Sequence, residues 1–176
     1  FHDNDGDPQD EHGHGTHVAG IIGARGNNGV GVTGVAWNTS LMPLRWLDEN
    51  NEGLTSDAIR AIRYATMMKT EHNVPIQVIN ASWGKYDEFE PTLYDAIEEA
   101  GAAGILFVAA AGNGDALGRG VNLDVDQPFY PASFDLANII SVAAVDQNDQ
   151  LARFSNFGTT SVDIAAPGVG IVSTEP

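Results

Sequence analysis

The 176 residues include no cysteine. That excludes disulfide scaffolding, thiolate–zinc sites and cysteine nucleophiles, and leaves any chemistry to oxygen and nitrogen groups. Cations are scarce: 8 Lys and Arg stand against 24 Asp and Glu, a formal net charge of −16. Phosphates and anionic surfaces are held by basic patches, so neither nucleic acid nor a membrane is an expected partner. No apolar run approaches a membrane span of about 20 residues. No signal-peptide pattern stands at the start. Residue 1 is Phe rather than Met, so the sequence is expected to begin inside a longer chain or after processing. What remains has ordinary globular composition, with 43% hydrophobic residues, and residues 1–176 are expected to form a single domain with a real core. An acidic surface of this kind suits bound calcium, a cationic substrate or a salty medium, and ordinary solvation accounts for most of the charge.

Against this background one stretch is dense in chemistry. His12-Gly13-His14-Gly15-Thr16-His17-Val18-Ala19-Gly20 packs three histidines and three glycines into nine residues. Histidine loses its proton near neutral pH, which makes it the usual general base or metal ligand. A helix is expected from Gly15 to Ala24 with His14 at its mouth and His17 on the same face. One reading of the cluster is a zinc site built on His12, His14, His17 and the aspartates before them. Against that reading, no second group of ligands follows downstream.

The other reading comes from likeness. His14-Gly15-Thr16-His17-Val18-Ala19-Gly20 resembles the histidine motif of the subtilisin-like serine peptidases, the subtilases. The resemblance implies that His14 is the catalytic base and that His17 is structural. A second landmark follows the apolar strand Ile105–Ala110: Ala111-Gly112-Asn113-Gly114 is similar to the turn that carries the family's oxyanion donor, here Asn113. A carboxamide NH2 is a neutral donor that can point at a developing oxyanion. Ser82-Trp83-Gly84, after the strand-like Ile76–Ala81, resembles the segment that lines the family's substrate cleft and pairs with the substrate as an added strand. The resemblance also places Leu47, Asn51, Glu52 and Gly53, and Ala110 with Gly112, along the substrate. Glu49, Glu52 and Asp57 would then favour basic side chains in it. Ser82 itself is a poor nucleophile-elbow candidate, because Asn80 stands where that turn requires glycine.

Arg25 to Ala36 is a loop by composition and resembles the family's strong calcium loop. The implied ligands are the Asn28 side chain and the carbonyls of Gly26, Val30 and Val32, and the implied cofactor is structural calcium. Asp3, Asp5 and Asp7 have the opening spacing of an EF-hand loop, but its later glutamate does not follow. Pro128-Phe129-Tyr130-Pro131-Ala132 resembles the stretch under the specificity pocket, with a cis Tyr130–Pro131 bond implied. Phe129 stands where relatives often carry a small residue, which would shorten that pocket. Phe154-Ser155-Asn156-Phe157-Gly158 and Ala166-Pro167-Gly168 resemble later family landmarks to which no role attaches.

Strands alternating with helices support a mainly parallel α/β sheet. The subtilisin-like fold implied is three-layered, with helices on both faces, and is expected to be incomplete here. Leu41 to Leu47 is expected as a strand, residues after Thr55 or Ser56 as a helix with Ala58, Ile59, Ile62 and Ala65 on its apolar face, Pro91 to Gly104 as a second helix, and Ile139 to Val145 as a further strand. The family's orienting aspartate and nucleophilic serine are not found: Asp3, Asp5, Asp7 and Asp10 lie too near His14, and Gly158-Thr159-Thr160-Ser161 is followed by Val162-Asp163 rather than by a helix. The chain therefore reads as the central part of a peptidase domain. It is expected to be inactive alone, to associate through exposed sheet edges, and to come from an extracellular or cell-envelope protein acting on peptides. A non-catalytic domain that binds calcium or a partner is the alternative.

Overall fold

The apolar spacing of Leu93, Ala96, Ile97 and Ala100 is that of one helical stripe, and it organises the larger part of the molecule. A computed structural model describes residues 1–3, 5–86 and 89–176. The chain divides into two compact units, Phe1–Ala61 with Ile171–Pro176, and Ile62–Gly170.

The larger unit is built on a four-stranded sheet in which every pairing is parallel, in the order β1 (Val78–Ala81), β2 (Leu106–Ala110), β3 (Ile139–Val145) and β4 (Ile164–Pro167). Parallel neighbours require a crossover, and helix Pro91–Ala102 supplies the one between β1 and β2. Its start is fixed by Pro91 at the first position, which needs no amide, and by the Glu90 side chain, which accepts from Thr92 N–H at 3.3 Å. Its end is set by Gly104 at φ 74°. Leu93, Ala96, Ile97 and Ala100 are all buried, as are Phe107 and Ala109 of β2 on the facing side. Fully burying Leu93 and Ile97 contributes roughly 1.5–3 kcal/mol each. The alternate residues behave differently: Leu106 is 45% exposed and Ile164 54%. The Tyr130–Pro131 bond is cis, as the resemblance implies, and Tyr130 makes an antiparallel bridge with Lys85.

The smaller unit centres on helix α1 (His14–Gly23). Residues 171–176 lie along it: Ser173 Oγ donates to His17 C=O and Thr174 Oγ1 to Thr16 C=O, both at 2.7 Å. Gly20 is buried because these two side chains occupy the space its Cβ would need. Helix α2 (Thr55–Thr70) begins in this unit, with Ala58, Ile59 and Ala61 buried; its later residues Ile62 and Ala65 are buried within the larger unit. The Pro91–Ala102 helix is α3.

Two expectations need correction. Leu41 to Leu47 forms no strand. Its apolar residues suit one, but a strand exists only where a neighbouring strand continues its ladder; here Arg45 C=O accepts instead from the Phe1 ammonium at 2.8 Å, and Leu41 and Met42 are exposed. Asp57 is no part of a charged rim: it is buried in the first turn of α2 and bound to Arg60 at 2.7 Å.

Candidate active site

His14 is the first residue of α1 and is half-buried. The residue before it, Gly13, sits in the left-handed region at φ 95° and offers no capping side chain. The exposed amides of a helix start still need acceptors, and Asp10 provides them from further upstream. Its Oδ1 accepts from the amides of His12 (3.0 Å) and Gly13 (2.8 Å), and its Oδ2 from the amide and hydroxyl of Thr16 (both 2.7 Å). Burial alone would raise the Asp10 pKa. The Thr16 hydroxyl and the three amides outweigh it and hold the carboxyl well below the usual carboxylate range. His14 moves the other way from a catalytic imidazolium: burial first, then the neighbouring His12, push its pKa below the ordinary 6.5, while the Asp10 charge opposes the shift. At neutral pH the imidazole is therefore the free base. The His12 and His14 rings stand 6.4 Å apart in edge contact, yet among the described residues no three His, Asp or Glu side chains converge as a ligand set.

The loop after α1 is a closed excursion. Gly34 N–H returns to Ala24 C=O at 2.8 Å, and Val35 and Ala36 bond back to Ile21 and Ile22. Gly34 is held against the backbone of Gly20, Gly23 and Ala24 so closely that a Cβ has no room. Within the excursion Asn27, Gly29 and Gly31 take positive φ, and Asn28 Oδ1 accepts from Val30 N–H at 3.0 Å. Gly26, Asn28, Val30 and Val32 thus share one short loop whose donors are all uncharged oxygens.

Asn51, Glu52 and Gly53 lie on an exposed turn. Asp48 shapes it, accepting from the amides of Asn50 and Glu52 at 2.9 Å each, and Asn51 adopts φ 63°. Gly53 packs on Trp46 and on Leu47.

In the larger unit, Ser82, Ala110, Gly112 and Asn113 line one cleft of about 280 Å³ together with Asn80, Ser155 and the Ala166–Gly168 turn. This cleft opens where the parallel strands end, and open α/β sheets bind ligands beyond the carboxyl ends of their strands. Asn113 is exposed between Gly112 (φ 102°) and Gly114 (φ 82°). Its carboxamide makes no hydrogen bond among the described residues. Gly84 and Gly112 both press on the buried Phe129 ring: a Cβ at Gly84 would collide with it, and one at Gly112 would crowd it. Phe129 thereby fills the space beneath these two segments. The sequence assigns no role to Asn80, Ser155 and Asn156, and sets Asp10 aside as too near His14 to be the orienting acid. The one signal for Asn156 is its place in the Phe154–Gly158 stretch.

Comparison with known proteins bears on these positions. The chain matches the subtilase family over residues 1–175. It is 47% identical over 174 residues to a thermophilic serine proteinase of Bacillus sp. (strain AK1), covering 99% of this chain and 39% of that protein. It is 38% identical over 176 residues to thermitase of Thermoactinomyces vulgaris, covering all of this chain and 56% of that protein. Among solved structures it superposes on sphericase with a TM-score of 0.79 at 32% identity, covering 95% of this chain and 56% of that one. A cold-adapted subtilisin-like serine proteinase gives 0.76 at 32% identity, with 98% and 55% covered. The chain therefore spans about half the length of these solved relatives. The parallel α/β architecture is theirs, and with a match running almost from end to end, the chain belongs to the subtilase family.

Proposed function

We propose that the whole protein is a serine endopeptidase of the subtilisin type, with His14 as general base and Asn113 as oxyanion donor. The observation that carries this reading is the unengaged Asn113 carboxamide at the mouth of the strand-end cleft, in a chain of this family. A serine supplied outside residues 1–176 attacks the peptide carbonyl carbon while His14 takes the hydroxyl proton. The carbonyl oxygen becomes an oxyanion held by Asn113. As it collapses, the C–N bond breaks and His14 returns the proton to the leaving amine. Water then hydrolyses the acyl-enzyme with the same base. A peptide lies along Ser82–Gly84 as an added strand, and the family likeness assigns Leu47 and Asn51–Gly53 to substrate binding as well. Phe129 limits the depth available beneath Gly84 and Gly112, which favours small side chains next to the scissile bond, and the exposed Glu49 and Glu52 favour basic ones further away.

The all-oxygen donor set of Asn28, Gly26, Val30 and Val32 fits calcium, and its lack of charged ligands sets a weak affinity. The expected outcome of a calcium titration is a higher melting temperature for the chain, reversed by chelator and reduced in Asn28→Ala; indifference to calcium would remove the site. Secretion of the whole protein is part of this reading, supported by a 36% identical relative named the minor extracellular protease Epr of Bacillus subtilis. Among the described residues no helix is long and apolar enough to cross a membrane.

The deciding experiment is fluorophosphonate labelling of the full-length protein beside residues 1–176 alone. The full-length protein is expected to take up label and the shorter chain none. In the full-length protein Asn113→Ala should lower kcat by about 10²–10³, the size established for the equivalent donor of a subtilisin. A folded full-length protein that takes no label leaves the non-catalytic binding domain as the reading.

A further inference from the structure

We propose that Asn156 is the positioning residue for Asn113, fixing the turn from which the oxyanion donor projects. The inference rests on the reading of Asn113 given above. Asn156 is completely buried, with no exposed surface. Its Nδ2 donates to Ala111 C=O at 2.7 Å, and its own amide donates to Gly112 C=O at 3.0 Å. Its Oδ1 accepts three bonds, from Gly114 N–H at 3.1 Å, Val121 N–H at 3.0 Å and the Tyr86 hydroxyl at 2.7 Å. The residues on both sides of Asn113 are thus tied to one side chain and its amide, while Asn113 itself is left untied.

The chemistry selects asparagine. Two main-chain N–H groups can face only an acceptor and the Ala111 carbonyl can face only a donor, so the orientation of the carboxamide is dictated by its partners. Aspartate would set an anionic oxygen against the Ala111 carbonyl in a dry interior. Close packing adds a second constraint: a Cβ on Gly112 would collide with Asn156 Nδ2, so the turn can come this near only as glycine.

Oxyanion stabilisation is strict in geometry. A donor acts when it lies about 2.7–3.1 Å from where the charge develops, and a misplacement of about 1 Å in positioning groups can cost about 10²-fold. Loosening the Ala111–Gly114 turn should therefore act on kcat and leave KM nearly unchanged, because the donor works in the transition state.

The test is a double-mutant cycle in the full-length enzyme between Asn113→Ala and two changes behind it, Asn156→Asp and Tyr86→Phe. Tyr86→Phe removes only the hydroxyl and keeps the ring contact with Phe129, 4.9 Å between centroids, so it serves if Asn156→Asp does not fold. Expected results are a fall in kcat of about 10–100-fold for Asn156→Asp and about 3–10-fold for Tyr86→Phe, each with KM changed less than about 2-fold. On the Asn113→Ala background both effects should shrink to less than about 2-fold. Falls that persist in full on that background would show a merely structural role and overturn the proposal. If Asn113→Ala alone leaves kcat intact, the oxyanion reading itself has failed, and this inference falls with it by a distinguishable result.

Discussion

The two regions that carry the proposed chemistry are held in opposite ways. His14 stands on a helix start organised by Asp10, a charged group whose bonds reach residues two to six positions ahead. Asn113 stands on a turn organised by Asn156, a neutral group in the dry interior whose partners lie 35 to 70 positions away. The first arrangement is local and ionic, so it answers to pH and can form as soon as its own segment does. The second depends on two crossovers having been completed, from β1 to β2 and from β2 to β3, and is indifferent to mild acid. A base that must change protonation state and a donor that must not are thus held by supports of matching character.

Replacing Asn156 by Ala would test the deeper support most severely. It leaves the Ala111 carbonyl and the Gly114 and Val121 amides without their partner, each a desolvation penalty of about 1–3 kcal/mol, and a total loss of about 3–5 kcal/mol is expected. The guanidinium midpoint followed by fluorescence checks this; a loss under about 1 kcal/mol would mean that the turn holds itself. The corresponding change on the other side, Asp10→Ala, should be milder, at about 1–2 kcal/mol for a lost helix cap. Its signature is local: the amides of Gly13 and Thr16 should exchange hydrogen faster while those of Gly114 and Val121 do not. Because the folded state holds the Asp10 pKa below its ordinary 3.8, this contribution is fully present above that value and fades as pH falls through the range beneath it.

The smallest expected effect is also the most diagnostic. An NMR titration should place the His14 midpoint in this chain below 6.5, and Asp10→Asn should lower it further by removing the one charge that opposes the shift. Since the folded chain favours the neutral imidazole, its contribution to stability is present above 6.5 and declines as pH falls toward the folded midpoint. A midpoint at or above the ordinary value would show His14 to be less buried than described.

These contrasts also explain what could be read from the chain beforehand. The strand at Ile139–Val145 and the helix from Pro91 were legible because propensity, caps and burial agree within a few residues. His14 and Asn113 were legible only through family likeness, since a histidine-rich start and an asparagine after a strand have commoner explanations. Leu41 to Leu47 misled because strand character is a property of a pair. The capping role of Asp10 was not legible because a helix cap ordinarily stands just before the helix, and here that residue is Gly13. Asn156 was unreadable in principle: its five partners or contacts converge only once the sheet has formed.

That every strand pairing is parallel has a bearing on how the molecule comes into being. Val78 must find Leu106, Phe107 must find Ile139 and Val142 must find Ile164, so no two of the four strands are joined by a hairpin. Chains dominated by such distant pairings collapse to their native order slowly, in milliseconds to seconds, with sticky intermediates along the way. Refolding of the Ile62–Gly170 portion is therefore the step at which this protein would be most readily lost to aggregation, and the Asn113 turn would be among the last features to acquire its shape.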